Sequence, residues 1–382
     1  MNRRGFLYGT AVVGSIGVAG CLDRLGFDEQ SAWSNPPLVE NRPDAVYLPA
    51  GSEEMNTYGQ ATDGEYAVEL SYTFPHRFWL VAGDTEQVDV DVDDSMHLMI
   101  TAWDVETDTV LPVNVGLELL HDGDSVDGRL SPWPMLSQRM GFHYGDNIRL
   151  PEEGKYTARI RVGPLETERS GTFENRFESA TTFEIDFEFE RSDIHDLEYE
   201  EVDDDRRGSR DALSLMDHSE HGAHGTGHGE EHDHGGINSP DSFNGPGYPP
   251  TSSGLPVEEL PGELLGTERS ADAEISALVS EKDRVTDDGS YLVVCKRTPY
   301  NDVILPLARL SVTVERAGSV VLEPESLTET LDHEFGHHYG LEVDNLESGD
   351  EITVSVDAPP QVSRHDGYET AFFEFEDVTY IV

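Results

Sequence analysis

Pro132-Trp133-Pro134-Met135-Leu136-Ser137-Gln138-Arg139-Met140-Gly141-Phe142-His143-Tyr144-Gly145-Asp146-Asn147 places a thioether, Met135, and an imidazole, His143, on one short segment that reads as a loop rich in Gly and Pro. That pair of donors suits copper(I) or another borderline-soft ion better than calcium or magnesium. A second Gly-x-His-Tyr-Gly stands at Gly336–Gly340. Around each copy the pattern agrees. Leu111-Pro112 and Leu305-Pro306 each precede a strand-like run, and His143 follows Pro112 by 31 residues where His338 follows Pro306 by 32. A Glu-x-Gly turn comes next in both, at Gly154 and Gly349. Matching order and spacing predict an internal duplication.

Short runs of β-branched and aromatic residues, separated by Gly, Pro and Asp-Gly turns, fill residues 45–192 and 263–382. Such spacing predicts an all-β chain of two antiparallel β-sandwich domains, without a long helix. Residues 193–262 read as an acidic, His-rich, disordered linker. Six of the fifteen histidines fall within 17 of its residues, namely His218, His221, His224, His228, His232 and His234. Beside acidic groups these would capture zinc, copper or nickel without fixed geometry, and protonation below about pH 6 would release the ion.

The 77 acidic residues against 25 basic ones give a formal charge of -52. Acid spread along the whole chain, with lysine only at positions 155, 282 and 296, fits a protein of a salt-loving organism, whose self-repulsion salt screens. It argues against nucleic acid as a partner. Arg3-Arg4 followed by a short apolar run and Val18-Ala19-Gly20-Cys21 reads as a twin-arginine lipoprotein signal in residues 1–21, with Cys21 the lipidated residue and 22–44 a tether. The expected location is the outer face of the cell membrane. Cys295, in a strand-like run, reads as a small core residue.

In the run Met96-His97-Leu98-Met99, alternation puts His97 and Met99 on one strand face. The segment from Pro134 to Asn147 resembles the Met-Pro-Met…Gly-Pro-His-Tyr-Gly-x-Asn turn of the periplasmic iron-transport proteins of the pathogen-specific membrane antigen family. His97-Leu98-Met99 before Leu111-Pro112 is similar to that family's His-Leu-Glu strand and Ile-Pro motif. The resemblance covers most of residues 45–190. It implies an immunoglobulin-like sandwich, a bound copper or similar ion, ferrous iron uptake beside a membrane iron permease, and a homodimer or, in a duplicated chain, an intramolecular pseudo-dimer.

Position by position, the resemblance makes His97, Met135 and His143 metal ligands, with Met99 standing where the family has Glu. The family's last ligand, in a His-Thr-Asp turn, has no match in the first half. His365, in Arg364-His365-Asp366-Gly367-Tyr368-Glu369-Thr370, resembles it. The second half has Tyr291 in place of the first His and lacks the Met, so the halves hold either one shared site or two incomplete ones, with His338 and His365 as candidates for the second. His76 and Met55 are secondary candidates, His76 reading mainly as a turn residue.

Two further readings stand beside metal transport. His333-Glu334-Phe335-Gly336-His337 matches the zinc protease pattern, which needs both histidines one helical turn apart. Here a glycine sits inside the motif and strand-like sequence follows, so His333 and His337 are secondary metal candidates and no enzyme is expected. The other reading is an envelope or adhesion protein with no metal function.

Overall fold

The computed structural model describes residues 36–216, 249–282, 285–286, 289–344 and 346–382. Strand makes up 51% of the chain and helix 4%, which is the all-β class the sequence predicts. Among the described residues the α-helix is a single five-residue turn, Arg191–His195. No described helix is long and apolar enough to cross a membrane.

In the first half an eight-stranded sheet faces a four-stranded one. The larger runs in the order Asn56–Asp63, Tyr66–Thr73, Met96–Asp104, Gly141–Ile148, Trp133–Ser137, Ser363–Arg364, Phe78–Ala82, Asp84–Val88. The smaller runs Thr181–Phe189, Gly154–Val162, Val115–His121, Asp124–Leu130. Strict alternation in Thr181–Phe189 buries Phe183, Ile185, Phe187 and Phe189 and exposes the acids between them. Across from them Val68, Leu70, Met96, Leu98, Ile100, Phe142 and Tyr144 complete the core. Each such side chain contributes roughly 1.5–3 kcal/mol by leaving water.

The second half also sets a larger sheet, here of six strands, over a four-stranded one. Its larger sheet runs Glu168–Ser170, Thr328–Asp332, Gly336–Val343, Ser290–Arg297, Ala273–Ser280, Glu263–Ser270, over a sheet of Ser319–Ser326, Arg309–Arg316, Glu351–Ala358 and Val378–Ile381. Cys295 is buried here, in a small apolar cluster with Leu260, Leu278, Val293 and Phe335.

The halves are not independent beads. Each lends a short segment to the other's sheet. Ser363–Arg364 lies parallel to Trp133–Ser137, with Ser363 opposite Met135, and pairs antiparallel with Phe78–Ala82 through Trp79. Glu168–Ser170 lies parallel to Thr328–Asp332, with Glu168 opposite Thr330. Met135 lies opposite His143 and Thr330 opposite His338, so the exchange is reciprocal. The first core also takes in Val303, Leu305, Leu331, Val362, Tyr368 and Phe372 from the second half.

The structure also shortens the expected linker of residues 193–262. Tyr199–Glu201 pairs with Gly51–Glu53, and Leu48 N donates to Ser209 O at 2.9 Å. Ser252 and Leu260 are buried on the other side. The acidic run Glu198–Asp205 is ordered because its backbone has sheet and turn partners, whatever its charge. The Pro132–Asn147 segment, read as a loop, is a β-hairpin. Trp133–Ser137 and Gly141–Ile148 pair through Gly141–Ser137, and Gly141 has a positive φ of 74°.

One carboxyl is buried on the sheet face turned away from the first core. Glu69 accepts Gln60 Nε2 at 2.8 Å, while its other oxygen has no partner. Burial raises its pKa from 4.5 to about 7. The folded state therefore holds a proton that the unfolded state has released between those two values, and stability falls as pH rises through that window. Glu69→Gln is expected to raise the melting temperature at pH 8, by on the order of 3 kcal/mol of stability, and to change little near pH 4. Thermal unfolding at both pH values checks this.

Candidate metal centre

The Met96–Asp104 strand turns Met96, Leu98 and Ile100 into the first core. His97 and Met99 therefore face the other side. Register then builds a site on that face. His97 lies opposite Asn147 and Met99 opposite Gly145, both on Gly141–Ile148. His143 lies opposite Met135. Ser363 lies beside Met135, so His365, which follows Arg364, enters from the second half. His365 N donates to Leu136 O at 3.0 Å and fixes that entry. His76, just before the Phe78–Ala82 strand, closes the ring.

Four imidazoles meet here. The His76 and His97 ring centres are 4.2 Å apart, His76 and His365 4.9 Å, and His143 and His365 5.3 Å. One ring nitrogen from each of His76, His97 and His365 falls within a 4.8 Å set. His76 Nε2 and His365 Nδ1 share a hydrogen bond of 3.0 Å. Met135 is fully buried beside them. A β-carbon at Gly145 would lie 2.7 Å from His97 Nε2 and 3.1 Å from Met135 Sδ, so both donor atoms reach over the same bare glycine.

The outer partners set which nitrogen is free. His97 Nδ1 is 2.9 Å from Asn147 Oδ1, and Asn147 Nδ2 donates to His76 O at 2.9 Å, which fixes the amide's orientation. His143 Nδ1 is 3.1 Å from Gly141 O. Both partners are acceptors, so each Nδ1 carries the proton and each Nε2 presents a lone pair. The Nε2 atoms of His97, His143 and His365 are buried without a hydrogen-bond partner. Burial also keeps the rings neutral. It holds His97 and His365 well below the ordinary imidazole value, with neighbouring histidines adding to the effect, and brings His143 to about 4. The bare Nε2 atoms and the Met135 thioether are donors that could hold a transition ion, since a buried polar atom left unpaired is otherwise costly, and the nitrogens within 4.8 Å of one another are those of His76, His97 and His365.

The turn carrying His365 is braced from several sides. Arg77 Nη2 bonds Asp366 Oδ2 at 2.8 Å, Tyr47 OH donates to Glu369 Oε1 at 2.5 Å, and Gln138 Nε2 donates to Gly367 O at 3.3 Å.

Other candidates lie apart. His338, expected to share a second site with His365, instead bonds Tyr291 OH through Nε2 at 3.1 Å and Gly336 O through Nδ1 at 3.0 Å. Thr330 lies opposite His338 as Met135 lies opposite His143, and Ser170 lies two places beyond Glu168 as His365 lies two places beyond Ser363, so His338 has neither a thioether nor a second imidazole at these places. His333 and His337 flank the turn of a β-hairpin between Thr328–Asp332 and Gly336–Val343, not a helix, which removes the zinc protease geometry. Glu334 pairs with Lys282, and His337 Nε2 bonds Glu329 Oε1 at 2.7 Å. Burial alone would raise Glu329, but the His337 contact and Lys296 outweigh it and hold its pKa down. Met99 faces the cleft beside His143, packed against other methionines. The six linker histidines and Cys21 lie outside the described residues.

The sequence undervalued His76 and passed over Asn147. The run Phe74-Pro75-His76 reads as a turn, and only the return of residue 365, 289 positions away, makes it part of a site.

Residues 105–200, which include Met135 and His143, match the family model of the Fe2+ transport protein. Residues 258–381 match a domain of unknown function (DUF7350). No curated protein matches the chain. Among solved structures, FetP from a uropathogenic Escherichia coli strain aligns at 16% identity and a TM-score of 0.27, over 36% of this chain and 96% of its own. Copper-reconstituted P19 from Campylobacter jejuni aligns at 16% identity and a TM-score of 0.27, over 36% and 95%. A copper-bound variant of P19 aligns at 15% and 0.28, over 36% and 97%.

Gly145→Ala is expected to leave the fold intact, because its backbone is not in the left-handed region, yet to push His97 and Met135 apart and weaken metal binding by roughly tenfold or more. Asn147→Leu frees the His97 ring and is expected to cost about 10–100-fold in affinity. Metal titration followed by absorbance or calorimetry checks both.

Proposed function

We propose that this chain is an extracytoplasmic metal-binding protein of ferrous iron transport, taking copper or iron at the site its two halves build together. The observation that carries the reading is the gathering of four buried imidazoles, with a ring nitrogen from each of His76, His97 and His365 within 4.8 Å of one another, the His143 ring 5.3 Å from that of His365, and the Met135 sulfur over the same glycine as His97 Nε2. The match of residues 105–200 to the Fe2+ transport family supports the transport role. The mixed imidazole and thioether set favours copper over hard divalent ions. In this reading the protein is held at the membrane surface through Cys21. Histidines 218–234 gather cations there, and the folded site passes its ion to a membrane iron transporter.

Metal content of the full chain, purified from high salt, tests this against a deletion of residues 217–235 and a His97→Ala/His143→Ala variant. One near-stoichiometric ion is expected to survive the deletion and to be lost in the double variant. Metal that disappears with the linker alone would overturn the reading and leave the sandwiches as envelope scaffolding.

A further inference from the structure

A second donor set lies beside the histidines and has a different chemistry. Met99, Met140 and Met216 are buried against one another, with Met55 partly buried at their edge. Four of the chain's seven methionines thus meet at one point. No leucine, isoleucine, valine or phenylalanine belongs to this cluster, although the neighbouring core is built largely from them. An apolar plug needs no sulfur. Random filling by the chain's few methionines would not gather them from four separate segments.

These side chains line the same cleft as His143 and His365. Met99 comes from the His97 strand and Met140 from the hairpin turn before Gly141. Met216 is brought across that turn by three hydrogen bonds. Leu213 N donates to Gln138 Oε1 at 2.8 Å, Arg139 Nη1 to Ser214 O at 3.1 Å, and Met216 N to Arg139 O at 2.9 Å. The last described residue before the His-rich segment is therefore a thioether fixed at the mouth of the cleft.

We propose that Met55, Met99, Met140 and Met216 form a second metal site, a thioether site for a soft monovalent ion such as copper(I), adjoining the imidazole site. Thioethers are neutral and polarizable, and they select soft ions. A single charge is also far easier to hold among uncharged ligands in a buried place than a double one. Asp366, the acid nearest His365 in the chain, is committed to Arg77 and does not supply a hard oxygen freely. The proposal goes beyond the imidazole site and stands or falls apart from it.

The test uses the full chain with methionine methyl groups carbon-13 labelled, titrated with silver(I) as a closed-shell stand-in for copper(I). The methyl signals of Met55, Met99, Met140 and Met216 are expected to shift together, while that of Met96, packed in the first core, stays in place. Met140→Leu/Met216→Leu keeps side-chain volume close to constant. It is expected to lower the silver(I) affinity read from these shifts roughly tenfold or more, with copper(II) binding at the imidazoles retained. In His97→Gln the copper(II) response is expected to fall and the silver(I) shifts to persist. Silver taken up by the linker histidines leaves these methyl signals unmoved. The proposal is overturned if the four signals do not respond to silver(I), or if the double leucine variant binds it as the unaltered chain does.

Discussion

The backbone pairing of Ser363–Arg364 into the first half's sheet is the constraint on which the rest depends. Without that segment, Trp133–Ser137 and Phe78–Ala82 would each present an open edge of unpaired N–H and C=O groups. The segment carries a fully buried arginine. Arg364 donates to the carbonyls of Val362 and Pro360, and its guanidinium lies 5.7 Å from the ring centres of Phe372 and Phe373. Burial lowers its pKa to about 9. A charge in so dry a place is tolerated only because backbone carbonyls and aromatic faces surround it. Those same contacts hold the turn that follows, and with it His365, in one position.

The reciprocal segment shows where the two halves agree and where they differ. Glu168–Ser170 fills the equivalent slot in the second sheet, and Ser170 Oγ donates to Asp332 Oδ2 at 2.6 Å. Both halves take a short strand from the other. The chemistry differs: the Tyr291 hydroxyl occupies the space over Gly340 as His97 Nε2 and Met135 Sδ occupy that over Gly145. A tyrosine–histidine hydrogen bond then satisfies the imidazole that would otherwise need a metal. To the imidazole cluster the second sandwich contributes one histidine, His365.

Much of this was legible in the sequence because it rests on local periodicity. Alternation places His97 and Met99 together, and the paired His-Tyr-Gly motifs fall on strands that sit alike in the two larger sheets. What periodicity cannot carry is the meeting of segments far apart in the chain. Nothing near Phe74-Pro75-His76 signals that His365 will bond to it, nor that residues 213–216 will cross the 137–140 turn. The His-Glu-x-x-His pattern misleads for the opposite reason, being a local string whose meaning depends on helix geometry. Its glycine at a positive φ of 66° opens a strand instead. Acid content likewise overstated the linker, since Tyr199–Glu201 is fixed by backbone pairing that composition does not register.

His365 lies 17 residues from the C-terminal Val382, while the other three imidazoles all come from residues 76–143. Closing a loop of that length is slow and comes late, because the entropy it costs is offset only once both sandwiches exist. The three early histidines can be in place while the fourth is still absent. A chain in which that segment had not docked would lack His365 and with it one member of the cluster. Occupancy of the centre would therefore report that the segment carrying His365 had docked on the first sandwich.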